Sequence, residues 1–131
     1  MSDVLDDLIQ QIKEGDNETR LAAIKALGEL ADPRAAAMLM TVVLFDERGY
    51  VRYDATLALE HVDRKQGAEY LERIVRDADA HTLKIRCRAI KALGHLGGAE
   101  LVPLLEEIAA TAEEVEAVTA NETLQHILKR T

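Results

Sequence analysis

The sequence predicts an all-α protein built from a repeated pair of helices, and three observations lead to that fold class. First, three segments of the chain align without gaps at a period of 32 to 34 residues. Second, hydrophobic residues make up 48% of the 131 residues and aromatic residues only 3%. A core without aromatics relies on Leu, Ile, Val and Ala, and Ala and Leu are the strongest helix formers. Third, only two prolines are present to interrupt helices.

The repeated segments are residues 19–30, 51–62 and 85–96, and each has an arginine at its second position (Arg20, Arg52 and Arg86). In each segment Ala follows three and six positions after the arginine, Leu seven positions after it, and Leu or Val ten positions after it. This spacing places the apolar residues on one face of a helix. Two alanines on that face allow the helix axes to approach closely, which is typical of a stacked array.

Each segment is followed by a break and a second apolar helix. In the first repeat Asp32 is the expected N-cap and Pro33 the expected first helical residue. In the third repeat Gly97 and Gly98 relax the backbone, and Pro103 lies in the first turn of the next helix. The repeated unit is therefore predicted to be helix–turn–helix.

The length leaves room for one domain, residues 1–131. We expect that domain to contain, in order, an N-terminal half-repeat helix at 3–13, repeats at 16–45, 46–77 and 82–110, and a C-terminal capping helix at 111–131.

The repeat motif itself resembles a known family. Arg-x-x-Ala-x-x-Ala-Leu-Gly-x-Leu, followed in the first repeat by Ala-Asp-Pro-Arg-Ala, is similar to the short HEAT-like repeat of the phycobilisome-lyase type over about residues 16–110. The second repeat departs from the motif, with Glu60 in place of Gly. The resemblance implies a right-handed α-α superhelix, which is a HEAT-like solenoid of about eight helices. In such a solenoid the second helix of each repeat lines a concave surface, and that surface commonly holds the ligand. Such repeats serve many partners.

Charge and cysteine content exclude several classes of partner. The net charge of −8 and the pI near 5.0 are the opposite of what a general nucleic-acid binder needs, and they disfavour an anionic membrane surface.

Cys87 is the single cysteine, so an internal disulfide is impossible and a reducing compartment is expected. The acidic N-terminus is unlike a signal peptide, and no apolar run reaches the length of a transmembrane helix. We therefore expect a cytoplasmic protein.

The helix after Pro33, residues 35–45, is the main candidate for a binding surface because it contains a single polar group. Its outward positions are apolar, although the equivalent positions of the next repeat are charged. Contiguous exposed apolar surface usually marks an interface. The predicted partner-binding residues are Ala37, Met40, Thr41, Leu44, Arg73 and Arg76. The partner is an unidentified protein or peptide, or a second copy of the chain in a homodimer through the apolar helix. Coverage of this face by neighbouring side chains is the alternative.

The register arginines Arg20, Arg52 and Arg86 have a structural role in the resembled family. There they hydrogen-bond to acidic turn residues of a neighbouring repeat, for which Asp32, Asp46 and Asp63 are the expected acceptors here. A local basic run, formed by Lys84, Arg86, Arg88 and Lys91, leaves open a site for phosphate or an acidic peptide.

Catalytic and metal sites are not expected. His61 and His95 share one repeat position, but helices packed about 8–10 Å apart do not by register alone bring two imidazoles within about 2 Å of one zinc ion. Cys87 lies beside two arginines, with no histidine at a spacing suited to a base, and is interpreted as a packed small residue. No nucleophile or phosphate-loop motif is present.

We therefore predict a protein–protein interaction module or scaffold that binds a peptide or protein surface on its concave face. It has no cofactor and is not an enzyme. The alternative, taken from the resemblance, is a non-catalytic or accessory subunit related to bilin lyases.

Overall fold

The computed structural model describes residues 3–77, 82–112 and 114–130. All regular structure in those ranges is helical, and they contain no strand. The all-α fold class predicted from the sequence is confirmed. The α-helices are α1 (Val4–Glu14), α2 (Asn17–Leu30), α3 (Ala36–Phe45), α4 (Gly49–Arg76), α5 (Leu83–Leu96), α6 (Val102–Thr111) and α7 (Glu114–Arg130), with 3₁₀ turns at Pro33–Ala35 and Ala99–Leu101.

The described residues therefore form seven α-helices where the sequence predicts about eight. The difference lies in α4, which is 28 residues long and contains one residue with non-helical backbone angles, Asp63 (φ −164°, ψ 77°). This residue separates the two helices that the sequence predicts in this region, and the Asp63 carboxylate accepts the backbone N–H of Gln66 at 3.1 Å, as at a helix start.

The chain packs as two compact units, residues 1–67 and 68–131, and the division falls within α4. In the first unit α1 packs against α2. The Asp32 carboxylate accepts the backbone N–H of Arg34 at 3.0 Å, and Pro33 opens the 3₁₀ turn, which confirms the predicted N-cap. The fully buried side chains of this unit include Ile24, Leu27, Leu39, Leu59, Val43 and Val51.

In the second unit α7 packs against both α5 and α6. The buried residues of α7 have the same spacing as those of the repeated first helices. Ala120, Thr123, Leu124 and Ile127 correspond in order to Ala89, Ala92, Leu93 and Leu96 of α5, and all eight are buried. The helix α7 thus repeats the pattern of a first helix, with Ala117 where the arginine stands in the others.

Among the described helices, none combines the length and the hydropathy that a membrane span requires.

Candidate partner-binding surfaces

The exposed stripe of α3 consists of Ala37, Thr41 and Phe45, which are one helical turn apart. The Thr41 hydroxyl donates to the Ala37 carbonyl oxygen at 3.1 Å, so its hydrogen-bonding need is met within the helix. The prediction that Met40 and Leu44 face solvent is wrong, because these residues are only 9% and 3% exposed. Of the four predicted positions on this helix, Ala37 and Thr41 are exposed.

The error lies in the width of the exposed stripe and not in the phase of the helix. Ala37 and Thr41 are exposed, as are the residues at the equivalent positions of the next repeat. Met40 and Leu44 lie on one flank of this stripe, and the rest of the fold buries that flank. The exposed stripe is therefore narrower than predicted, and it ends at Phe45.

The predicted residues Arg73 and Arg76 are exposed and lie in the second unit. The Arg73 guanidinium carbon is 5.7 Å from the centroid of the Tyr70 ring, a cation–π distance. The Arg76 Nε donates to Glu72 Oε2 at 3.3 Å. Both arginines are thus held by neighbours on their own helix, and their role in partner binding stays a prediction.

A homodimer through residues 35–45 also stays a prediction, with Ala37, Thr41 and Phe45 as its exposed contact residues. If that dimer forms, Ala37→Glu combined with Thr41→Glu is expected to give a monomer, because two carboxylates would be desolvated in the interface. Helical circular dichroism should not change, since both positions are exposed. Light scattering measures the mass of each form. A wild-type protein that is monomeric at high concentration contradicts the homodimer.

All four Phe and Tyr residues of the chain are exposed, so the core contains no aromatic residue of these types. Phe45, Tyr50, Tyr53 and Tyr70 are 58%, 55%, 49% and 44% exposed. Aromatic side chains bury more area than other residues when a fold uses them internally. Three of the four lie within residues 45–53 of the first unit, a segment that we call the aromatic turn.

The aromatic turn is fixed by Asp46, on which three arginines converge. The Arg20 guanidinium forms an ion pair with the Asp46 carboxylate, and the backbone N–H of Arg48 donates to the same carboxylate at 3.0 Å. The Arg52 guanidinium donates to the Asp46 carbonyl oxygen at 2.7 Å. Arg20 also donates through Nε to the Ile12 carbonyl oxygen at 3.0 Å, which links the turn to the end of α1.

The electrostatics of Asp46 favour its ionised form. Burial opposes ionisation, but the hydrogen bonds from Arg20 and from the backbone N–H of Arg48 outweigh it and hold the pKa of Asp46 below its usual range. The expected contact between a register arginine and a turn carboxylate is therefore present for Arg20 and Asp46. Asp32 instead binds Arg34, and Asp63 accepts the backbone N–H of Gln66.

Arg86 has an acceptor that sequence reasoning missed. Its Nε donates to Glu116 Oε1 at 2.6 Å, and both side chains are largely buried. Glu116 lies on α7, which the sequence predicts only as a capping helix. Arg86 is therefore committed to an internal ion pair, which lowers the charge that the local basic run offers to a phosphate or an acidic peptide.

A groove of about 460 Å³ runs between α2 and α4 in the first unit. It forms because Gly28 and Ala58 bring the two helices together with almost no side-chain volume. A Cβ atom added to Gly28 would lie 3.2 Å from the Cα and Cβ atoms of Ala58. Gly28 and Ala58 form the apolar floor of the groove. Its rim consists of charged or polar residues, namely Lys25, Glu29, Asp54 and His61. An apolar floor with a polar rim is the usual anatomy of a partner-binding pocket.

The corresponding helix pair of the second unit is packed differently. Gly94, the equivalent of Gly28, faces the Thr123 methyl group, where the first unit has Ala58. One residue further along, the rings of His95 and His126 meet edge to face, with their centroids 5.3 Å apart.

Neither Cys87 nor any acidic or histidine cluster forms a recognisable catalytic site in the described ranges. The Cys87 sulfur is half-buried and lies 3.6 Å from the Thr119 hydroxyl oxygen. No group of three or more His, Cys, Asp or Glu side chains that could hold a metal ion occurs among the residues that the structure describes.

Comparison with known proteins identifies the repeat. A family model described as HEAT repeats matches residues 1–60 and 42–125. A search of curated proteins found no match. HEAT repeats are generally scaffolds for protein interactions and are typically non-catalytic. The finer resemblance to the phycobilisome-lyase type stays a prediction. Because the two matches together extend over nearly the whole chain, this protein belongs to the HEAT-repeat family.

Proposed function

We propose that this protein is a non-catalytic interaction module that binds a peptide or protein surface through the aromatic turn and the adjoining stripe of α3. The observation that carries the proposal is the exposure of Phe45, Tyr50 and Tyr53 in a chain whose core uses no aromatic residue. Interface hot spots are enriched in aromatic residues, above all Tyr and Trp. The stripe of α3 belongs to the predicted concave face, since α3 is a second helix of its repeat, whereas Tyr50 and Tyr53 lie on the first helix of the next repeat.

The rigidity of the aromatic turn supports the proposal. Ordering a loop during association costs free energy, and a loop that is already fixed avoids that cost. The ion pair of Asp46 with Arg20 and the hydrogen bonds from Arg48 and Arg52 hold the backbone that presents the rings. Tyr50 and Tyr53 are three residues apart on α4, so their side chains leave the same side of the helix.

The experiment compares three forms of the protein as bait. In the first variant Phe45, Tyr50 and Tyr53 are each replaced by Ser. In the matched control only Tyr70, which is also exposed, is replaced by Ser. Proteins that bind wild type and the Tyr70→Ser control are expected to be lost from the triple variant. A hot-spot aromatic contributes about 2 kcal/mol or more, which corresponds to a factor of about 30 in Kd.

All three forms should have the same helical circular dichroism, because the replaced side chains are outside the core. Capture of the same partners with unchanged affinity by the triple variant contradicts the proposal. The alternative role, as an accessory subunit related to bilin lyases, stays a prediction that incubation with a bilin and an acceptor apoprotein tests through the absorption spectrum.

A further inference from the structure

The pair formed by His95 and His126 arises from the repeat register. His95 follows Ala89 by six residues, and His126 follows Ala120, the equivalent of Ala89 in α7, by the same six residues. The rings lie with their centroids 5.3 Å apart and their planes at 62°. His126 is exposed and His95 is half-buried, so solvent reaches the pair.

The close approach has a specific cause next to the pair. Gly94 precedes His95 and has no side chain, and the Thr123 methyl group occupies the space that a Cβ of residue 94 would need. The helices α5 and α7 can therefore pack closely at this level. A helix separation of about 8–10 Å does not by register alone bring two imidazoles to one metal ion, but here the rings of His95 and His126 are in contact across α5 and α7.

The distance between the rings suits a shared metal ion. A zinc–nitrogen bond of about 2.0–2.1 Å, extended by about 1.1 Å to the ring centre, places each centroid about 3.2 Å from the metal, and a tetrahedral angle then separates the centroids by about 5.2 Å. The observed separation of 5.3 Å matches this value. Because the rings meet edge to face, with their planes at 62°, metal binding requires the rings to turn until one nitrogen of each points to a common position.

We propose that His95 and His126 together bind one divalent transition-metal ion, with the rest of its coordination shell open to water. Neutral imidazole is a common ligand of zinc, copper and nickel. No third His, Cys, Asp or Glu side chain in the described part of the chain completes a cluster, so the described residues supply two ligands. By the general order of metal affinities, Cu²⁺ binds more tightly than Ni²⁺ or Zn²⁺. This site is independent of the aromatic turn.

The test uses a full-length background in which His61 and His81 are replaced by Gln, so that His95 and His126 are the only histidines left. Titration calorimetry with Cu²⁺ and Zn²⁺ at pH 7.5 is expected to show one ion per chain. Adding His126→Gln or His95→Gln should weaken binding by about tenfold or more, since even loss of an outer-shell partner has that effect. At pH 5.5 binding should also weaken, because free imidazole has a pKa of about 6.5 and protons compete with the metal.

Two further measurements separate a metal site from simple ring packing. Imidazole NMR signals of both histidines should shift or broaden together as one equivalent of metal is added. Helical circular dichroism should be the same in all forms, and His126→Gln in particular alters an exposed residue. The proposal is overturned if the two-histidine background fails to bind, or if the affinity survives replacement of both His95 and His126.

Discussion

Replacement of Asp46 by Ala is expected to lower the free energy of unfolding by about 2–3 kcal/mol, because it leaves a partly buried arginine without its counter-ion. The side chains of Asp46 and Arg20 are 7% and 17% exposed. Breaking one side of a fully buried pair costs about 3–5 kcal/mol, and the small exposure of Arg20, together with its remaining bond to Ile12, reduces the penalty here. The backbone N–H of Arg48 also loses its acceptor.

The measurement is urea unfolding of wild type and four variants, one of which is a control. Arg20→Met removes the other partner, and combining it with Asp46→Ala completes a double-mutant cycle for the pair. The control is Glu72→Gln, which removes an exposed ion pair with Arg76 and should change stability by less than about 0.5 kcal/mol. A cost for Asp46→Ala no larger than that of the control would show that the Asp46 network does not fix the turn.

The dependence on pH follows from the direction of the pKa shift of Asp46. The folded pKa is lower than the unfolded value of about 3.9, so the stabilisation is fully present above that value. It is lost as the pH falls through the lower folded pKa, where the native carboxylate takes up its proton. The stability difference between wild type and Asp46→Asn should therefore shrink below about pH 4. A difference that stays constant from pH 7 to pH 2 would mean that the charge of Asp46 contributes nothing.

The fold could be predicted because the repeated apolar spacing records which residues must be buried. Ala23, Leu27, Ala55 and Leu59 all occupy the predicted face and are all buried. Local chemistry was equally informative at Asp32 and Pro33, since a cap depends on residues within one turn of the chain. Both signals are local or periodic, so the sequence displays them directly.

The candidate surfaces were harder to predict because exposure depends on the orientation of one helix against its neighbours. Leu44 and Thr41 lie close together in sequence, yet one is buried and the other exposed. The aromatic turn was missed because four aromatic residues show no periodicity, although their scarcity in an aliphatic core was itself a signal. His126 was missed because Ala117 stands where the other first helices have arginine, which hid the match between α7 and α5.

The second large effect on stability is expected for Gly94→Ala, because Gly94 contacts Thr123. A Cβ atom added to Gly94 would lie 2.6 Å from the Thr123 methyl carbon, well inside van der Waals distance. The Thr123 side chain cannot rotate away freely, because it is buried and its hydroxyl donates to the Thr119 carbonyl oxygen at 2.8 Å. Gly94→Ala should therefore force α5 and α7 apart at a cost of about 2–3 kcal/mol, against a gain of about 1 kcal/mol in helix propensity.

The sign of the Gly94→Ala effect should reverse when Thr123 is also changed. In a Thr123→Ala background the clashing methyl carbon is gone, while the Thr123 Cβ lies at an ordinary 3.8 Å. Only the propensity gain then remains, so Gly94→Ala should stabilise that background by about 0.5–1 kcal/mol. The coupling energy from the double-mutant cycle is then about 2–3 kcal/mol. A destabilisation by Gly94→Ala that is equal in both backgrounds would show that Thr123 does not set the spacing of α5 and α7.

The equivalent position in the first unit provides the contrast for this cycle. There the atoms 3.2 Å from an added Cβ are the Cα and Cβ of Ala58, which belong to the backbone and to the smallest side chain. Trimming residue 58 to Gly removes only one of those two atoms. The effect of Gly28→Ala on stability should therefore depend far less on the residue that it faces than the effect of Gly94→Ala does.

The Gly94→Ala variant also tests the histidine pair. Wider spacing of α5 and α7 separates His95 from His126 and should weaken the metal binding proposed for them.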